Sequence, residues 1–157
     1  MSCSFLFFIE RIKLADEFFR TAEALVLTRT EFACLTSLSR KGFFDQASIN
    51  RWIKAGKLRE HKAKASPAKK GEDDVTSTVQ AYRELNSKFL ITEDPFLRKK
   101  LRQEGLKILS TPDIIGYLAK KKVITKDRAV EAVEALKVFG WHDRGVLDQI
   151  KEAIQRD

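Results

Sequence analysis

Five carboxylates stand where two short apolar runs end and where a helix begins, and acids so placed can hold a divalent cation. Phe89-Leu90-Ile91 is followed at once by Thr92-Glu93-Asp94-Pro95, and Leu106-Lys107-Ile108-Leu109 by Ser110-Thr111-Pro112-Asp113. Asp73 and Asp74 precede a helical pattern that runs to Leu85. Magnesium and manganese prefer hard oxygen ligands, and water held on such an ion can attack phosphorus while the ion offsets charge on the phosphate oxygens. Each acid also has a plainer reading. Asp94 before Pro95 is an ordinary N-cap, as is Ser110 or Thr111 before Pro112. Glu72, Asp73 and Asp74 in a first helical turn simply complement the helix dipole.

The elements that must position these acids read as helix, strand, helix, strand, helix. One helix between the two apolar runs is long enough to return the second strand parallel to the first. In an open α/β sheet, ligands bind beyond the carboxyl ends of the strands, which is where Glu93, Asp94 and Asp113 fall. The expectation is one α/β domain over 1–157. It would be a three-layer α/β/α sandwich, Rossmann-like, with a short, mostly parallel sheet of about four or five strands. Residues 2–9 read as a buried strand or strand end, 12–21 as a helix and 24–27 as a short strand. Thr30 would cap a helix through Leu38, and Asp45 or Ser48 the next, which Gly56 stops. A basic loop follows at about 57–71, then a helix over 72–85. After Leu109 come three helical patterns, with a C-terminal helical extension at about 126–155.

Thirty Lys and Arg against 22 Asp and Glu leave a net charge of +8. Such an excess suits a polyanionic partner, nucleic acid ahead of an anionic membrane surface, or serves solubility alone. Arg98, Lys99, Lys100 and Arg102 fall on the helix directly after Asp94, close enough to guide a phosphate backbone toward the acids. They are equally the solvated face of a helix that buries Phe96 or Leu97 together with Leu101. Lys62 and Lys64, in the basic loop, are further candidates for phosphate contact. Two cysteines and two histidines offer neither a disulfide framework nor a zinc-ligand spacing. The run 5–9 is too short for a membrane span or signal peptide, which makes a cytoplasmic location the expectation. Phe18, Phe19, Trp52, Tyr82 and Phe139, at helical spacing, read as core. Trp141 is the one aromatic candidate for an interface, and His142 reads as a surface polar residue.

Gly71-Glu72-Asp73-Asp74-Val75 ahead of a helix, Leu90-Ile91-Thr92-Glu93-Asp94, and Leu106 to Pro112 together resemble the second half of a PIN domain. The tail from Lys120-Lys121-Lys122-Val123-Ile124 to Phe139-Gly140-Trp141 is similar to the toxin-type archaeal and bacterial branch of that family. The resemblance implies a PIN-like ribonuclease, cleaving single-stranded RNA with Mg2+ or Mn2+, and an antitoxin protein or a homodimer among its partners. Carried over by position, Asp94 matches the Thr-x-Asp acid, and Asp74 or Asp73 the acid at the start of the preceding helix. Thr92 matches the residue that orients the site, with Glu93 a neighbouring ligand. The family's first acid, which stands just before a Ser/Thr, falls at Met1, with Ser2 matching that Ser/Thr. The second falls near Cys34 and Leu35, with Glu31 off register. At least one usual ligand is therefore lacking. Either an acid upstream of Met1 completes the site, or the chain is a degenerate PIN-like module that binds RNA or protein without cutting. A third reading is a phosphate-binding α/β protein using the helix N-terminus at Ser110-Thr111.

Overall fold

Phe5, Phe8, Ile9 and Ile12 recur at the spacing of one helical face, and all four are buried. In the computed structural model, which describes residues 3–62 and 74–156, the opening run is helix α1 (Cys3–Arg11), not the expected strand. A short apolar run cannot be assigned by periodicity alone, and here the stripe continuing to Ile12 decides for the helix. Helix α2 (Ala15–Thr21) packs against it, with the Phe5 and Phe18 rings edge to face at 5.0 Å.

Strand β1 (Leu25–Leu27) leads into α3 (Arg29–Arg40), and α4 (Gln46–Lys54) into β2 (Leu58–Glu60). The N-cap of α3 is Thr28, two residues before the expected Thr30. Its hydroxyl accepts from the Glu31 N–H at 3.4 Å, and the Glu31 carboxylate accepts from the Thr28 N–H at 2.9 Å, a capping box. Asp45 caps α4 as its sequence position suggests, accepting from the N–H groups of Ala47 and Ser48. β2 lies within the segment read as a basic loop and pairs parallel with β1, Val26 opposite Arg59.

Helix α5 (Asp74–Glu84), β3 (Leu90–Ile91), α6 (Pro95–Gln103) and β4 (Ile108–Leu109) follow in the expected order. The parallel crossover expected for this segment is present: Leu90 lies opposite Ile108 and Ile91 opposite Leu109. Three helices complete the described chain, α7 (Thr111–Lys120), α8 (Lys126–Phe139) and α9 (Arg144–Arg156). Gly140 ends α8 at φ 66°, a left-handed position where a side chain is strained.

The three-layer α/β/α sandwich is not what forms. The described residues are helix-dominated, and their strands make two separate two-stranded parallel sheets, β1–β2 and β3–β4. Strands of two or three residues present too few side chains to carry a layer of their own. The apolar side chains go instead to helix faces. The main core joins Phe5, Leu6 and Ile9 of α1 to Ile114, Ile115 and Leu118 of α7, and to Ala132, Val133 and Leu136 of α8. The C-terminal helices are thus part of that core. Arg128 of α8 also donates to the carbonyl of Ile12 at 2.7 Å, tying α8 to the end of α1. A second, smaller cluster of Val79, Leu101, Leu106 and Ile108 lies under α5 and α6.

Because Leu118 is fully buried in the main core, Leu118→Ala should lower unfolding free energy by about 2–5 kcal/mol. Val138→Ala, at a site 85% exposed, should change it by less than about 0.5 kcal/mol. Urea denaturation followed by circular dichroism checks both.

Candidate functional site: the carboxyl ends of β3 and β4

Parallel pairing brings the two strand ends side by side, with the Thr92 N–H donating to the Leu109 carbonyl at 3.0 Å. Two of the sequence-predicted acids therefore do stand at one rim, and their side chains part there. Glu93 turns inward, and its side chain is only 1% exposed. One carboxylate oxygen accepts from the Thr111 N–H at 2.7 Å and from the Thr111 hydroxyl at 2.5 Å. The other lies 2.7 Å from Nε2 of His142, within hydrogen-bond reach. Glu93 thus spends both oxygens on protein donors, and the ligand role expected for it is not what this geometry offers.

Asp94 turns the other way. Its Oδ1 accepts from the N–H groups of Phe96 and Leu97 at 2.9 and 3.1 Å, and Pro95 fills the first helical position of α6. The capping reading of Asp94 is what forms. Thr92 is buried and shapes the same turn, its hydroxyl accepting from the Asp94 N–H at 3.3 Å. Asp113 closes a cap at the start of α7, taking the Ser110 N–H at 2.8 Å and the Ser110 hydroxyl at 2.7 Å. The N-terminus of α7 is therefore filled by the chain's own carboxylates, Asp113 and Glu93. Asp74 opens α5, but its side chain, like all of Asp73 and Lys64, lies outside the described residues. Among the described residues, no three His, Cys, Asp or Glu side chains converge as a metal site would require.

Sequence reasoning missed His142. Its side chain is 7% exposed, not a surface group, and its ring packs edge-on against Phe8 at 4.9 Å. Forty-nine residues separate it from Glu93, so no local spacing could have signalled the pair. The Gly140 stop does bring the chain back toward the core at that point. Its Nδ1 is buried without a hydrogen-bond partner among the described residues. Burial would raise the Glu93 pKa, but the hydrogen bonds from His142 and Thr111 outweigh it and hold the carboxyl below its ordinary range.

The basic residues of α6 divide as well. Arg98 is half-buried and donates to the Thr92 carbonyl at 3.2 Å, which braces the turn. Lys99, Lys100 and Arg102 are exposed, with no carboxylate at ion-pair distance among the described residues. Phe96, one of two alternatives for the buried face, is 68% exposed, while Leu97 and Leu101 take the inward positions. The ammonium of Lys100 sits 4.6 Å from the Phe96 ring centre. Lys62, just after β2, is exposed. Trp141 is largely exposed, and Phe139, read as core, is 40% exposed. No helix among the described residues is long and apolar enough to cross a membrane.

Compared with known proteins, the chain matches no family model, no curated protein and no solved structure.

Removing one partner of a buried pair leaves the other charge or donor stranded, so His142→Ala should cost about 3–5 kcal/mol of stability. The lowered Glu93 pKa sets the pH dependence. Its contribution is complete above the ordinary carboxyl value of 4.5 and disappears as pH falls through the lower folded value. Thermal melts from neutral pH into the acid range should show the wild type losing stability below that value. Glu93→Gln should be less stable at neutral pH and show a shallower acid loss.

Proposed function

We propose that the chain is a non-catalytic RNA-binding module whose contact surface is the outer face of α6. The observation that carries this reading is Phe96, an aromatic ring 68% exposed among Lys99, Lys100 and Arg102. Single-stranded nucleic acid is bound by this combination: cations follow the phosphates while an aromatic face stacks on a base. Within the fold the exposed Phe96 ring meets only the Lys100 ammonium at 4.6 Å among the contacts of the described residues, whereas a base stacked on the ring would bury it. The net charge of +8 supports the same partner through long-range attraction.

The acids at the strand ends support binding over cleavage. Both oxygens of Glu93 are taken by Thr111 and His142, and Asp94 caps α6. Their part in the module is then to set the turn from which α6 projects.

Fluorescence anisotropy with a labelled single-stranded RNA of roughly 16 nucleotides tests the proposal. Phe96→Ala should weaken binding by about 1–3 kcal/mol. Lys99→Ala and Arg102→Ala should each reduce the slope of log affinity against log salt by about 0.7. Affinity independent of salt, or indifferent to all three substitutions, would overturn the assignment. Cleavage of the RNA with Mg2+ or Mn2+, lost in Asp94→Asn, would instead favour a PIN-type nuclease.

A further inference from the structure

A concavity of about 320 Å3 lies between α1 and α3, and no strand residue lines it. Phe7 and Phe8 of α1 and Cys34 and Leu38 of α3 form its walls, and Phe43, Phe139 and Trp141 complete it. These last three are 51%, 40% and 64% exposed, so the aromatic surface is open to a ligand. Phe8 joins the far side to α1, its ring centre 6.1 Å from that of Phe139 and 6.0 Å from that of Trp141. A contiguous apolar patch left bare marks a contact site, and a hollow of this volume falls within the roughly 300–1,000 Å3 of small-molecule sites.

One end of this hollow is basic. Arg11 continues the helical face of Phe7 and Phe8, and its guanidinium lies 5.1 Å from the Phe7 ring centre. Lys41, the C-cap of α3, follows Leu38 on that helix and stands two residues before Phe43. The two helix ends meet there: the Phe7 and Phe44 rings are 6.3 Å apart, and Glu10 accepts from the Asp45 N–H at 3.3 Å. Neither Arg11 nor Lys41 has a carboxylate at ion-pair distance among the described residues. Asp45, the other acid at this end, caps α4 through Ala47 and Ser48. Two unpaired cations beside an apolar hollow are complementary to a ligand with an anionic head and an apolar tail.

We propose that this hollow binds a single-chain anionic amphiphile of the fatty-acid class. Its alkyl chain lies against the aromatic walls, and its carboxylate sits at the end where Arg11 and Lys41 stand. A concave site is filled by a chain that enters it, whereas a bilayer surface would rest across the mouth and leave it empty. The site is separate from the outer face of α6 and does not depend on RNA binding there.

Calorimetry on the full chain tests this with monomeric decanoate, and with decanol as the same chain without the charge. Decanoate should bind one per chain, and decanol about fivefold more weakly, the effect of losing a partly exposed ion pair. A chain of net charge +8 attracts any anion, so variants must locate the site. Arg11→Gln and Lys41→Gln should each weaken decanoate binding about threefold and leave decanol unaffected. Lys126→Gln, at the opposite end of α8 from Phe139, should change neither. Trp141→Ala, at an exposed position that the fold tolerates, should weaken both ligands about tenfold. Alkylation of Cys34 by iodoacetamide, read on its own peptide by mass spectrometry, should slow when decanoate is bound. The proposal is overturned if decanoate binds no tighter than decanol, if folded Trp141→Ala binds unchanged, or if decanoate leaves Cys34 alkylation unaltered. Association with phosphatidylglycerol vesicles without any binding of decanoate would overturn it as well, in favour of a membrane-facing surface.

Discussion

Burying a carboxylate demands donors for both of its oxygens, and Glu93 meets that demand from two distant parts of the chain. Thr111 comes from the start of α7 and His142 from the turn between α8 and α9. Three separate pieces of structure are therefore held in register by one side chain: the end of β3, the head of α7 and the C-terminal hairpin. A polar group in such surroundings is expensive to leave unpaired, so the arrangement is specified as well as stabilised. The aromatic contact between His142 and Phe8 extends the same junction to α1.

Around that junction the remaining acids act locally. Asp94, Asp113, Asp45 and the Thr28–Glu31 pair each satisfy the free N–H groups at the start of a helix. The rim that looked like a cation site is in this respect a set of helix starts. What it offers to a ligand is the surface it aims. Arg98 ties α6 to the Thr92 carbonyl, and the helix then presents Phe96 and its lysines outward.

Much of this was legible in the chain. The parallel pair around the α6 crossover, the caps at Asp45 and Asp94, the stop at Gly140 and the inward Leu101 all follow from short-range patterns. Each rests on chemistry within about one turn or one strand, where spacing and side-chain type suffice. The opening run shows the limit of such reading. Phe5 to Ile9 is as apolar as a buried strand, and only the continuation to Ile12 marks it as a helix. The sandwich failed for a related reason. Short apolar runs suggested strands enough for one sheet, yet nothing local states whether two parallel pairs are adjacent.

By itself, then, the order of residues determined the charge, the helix starts, the crossover and the acids gathered at two strand ends. Tertiary structure decided which way those acids face, that Phe96 and not Leu97 is exposed, and that the strands remain two separate pairs. Those outcomes depend on contacts between residues dozens of positions apart, such as the 49 between Glu93 and His142. Local propensity carries no information on such distances, because the competition for buried donors and apolar surface is settled only when the whole core is assembled.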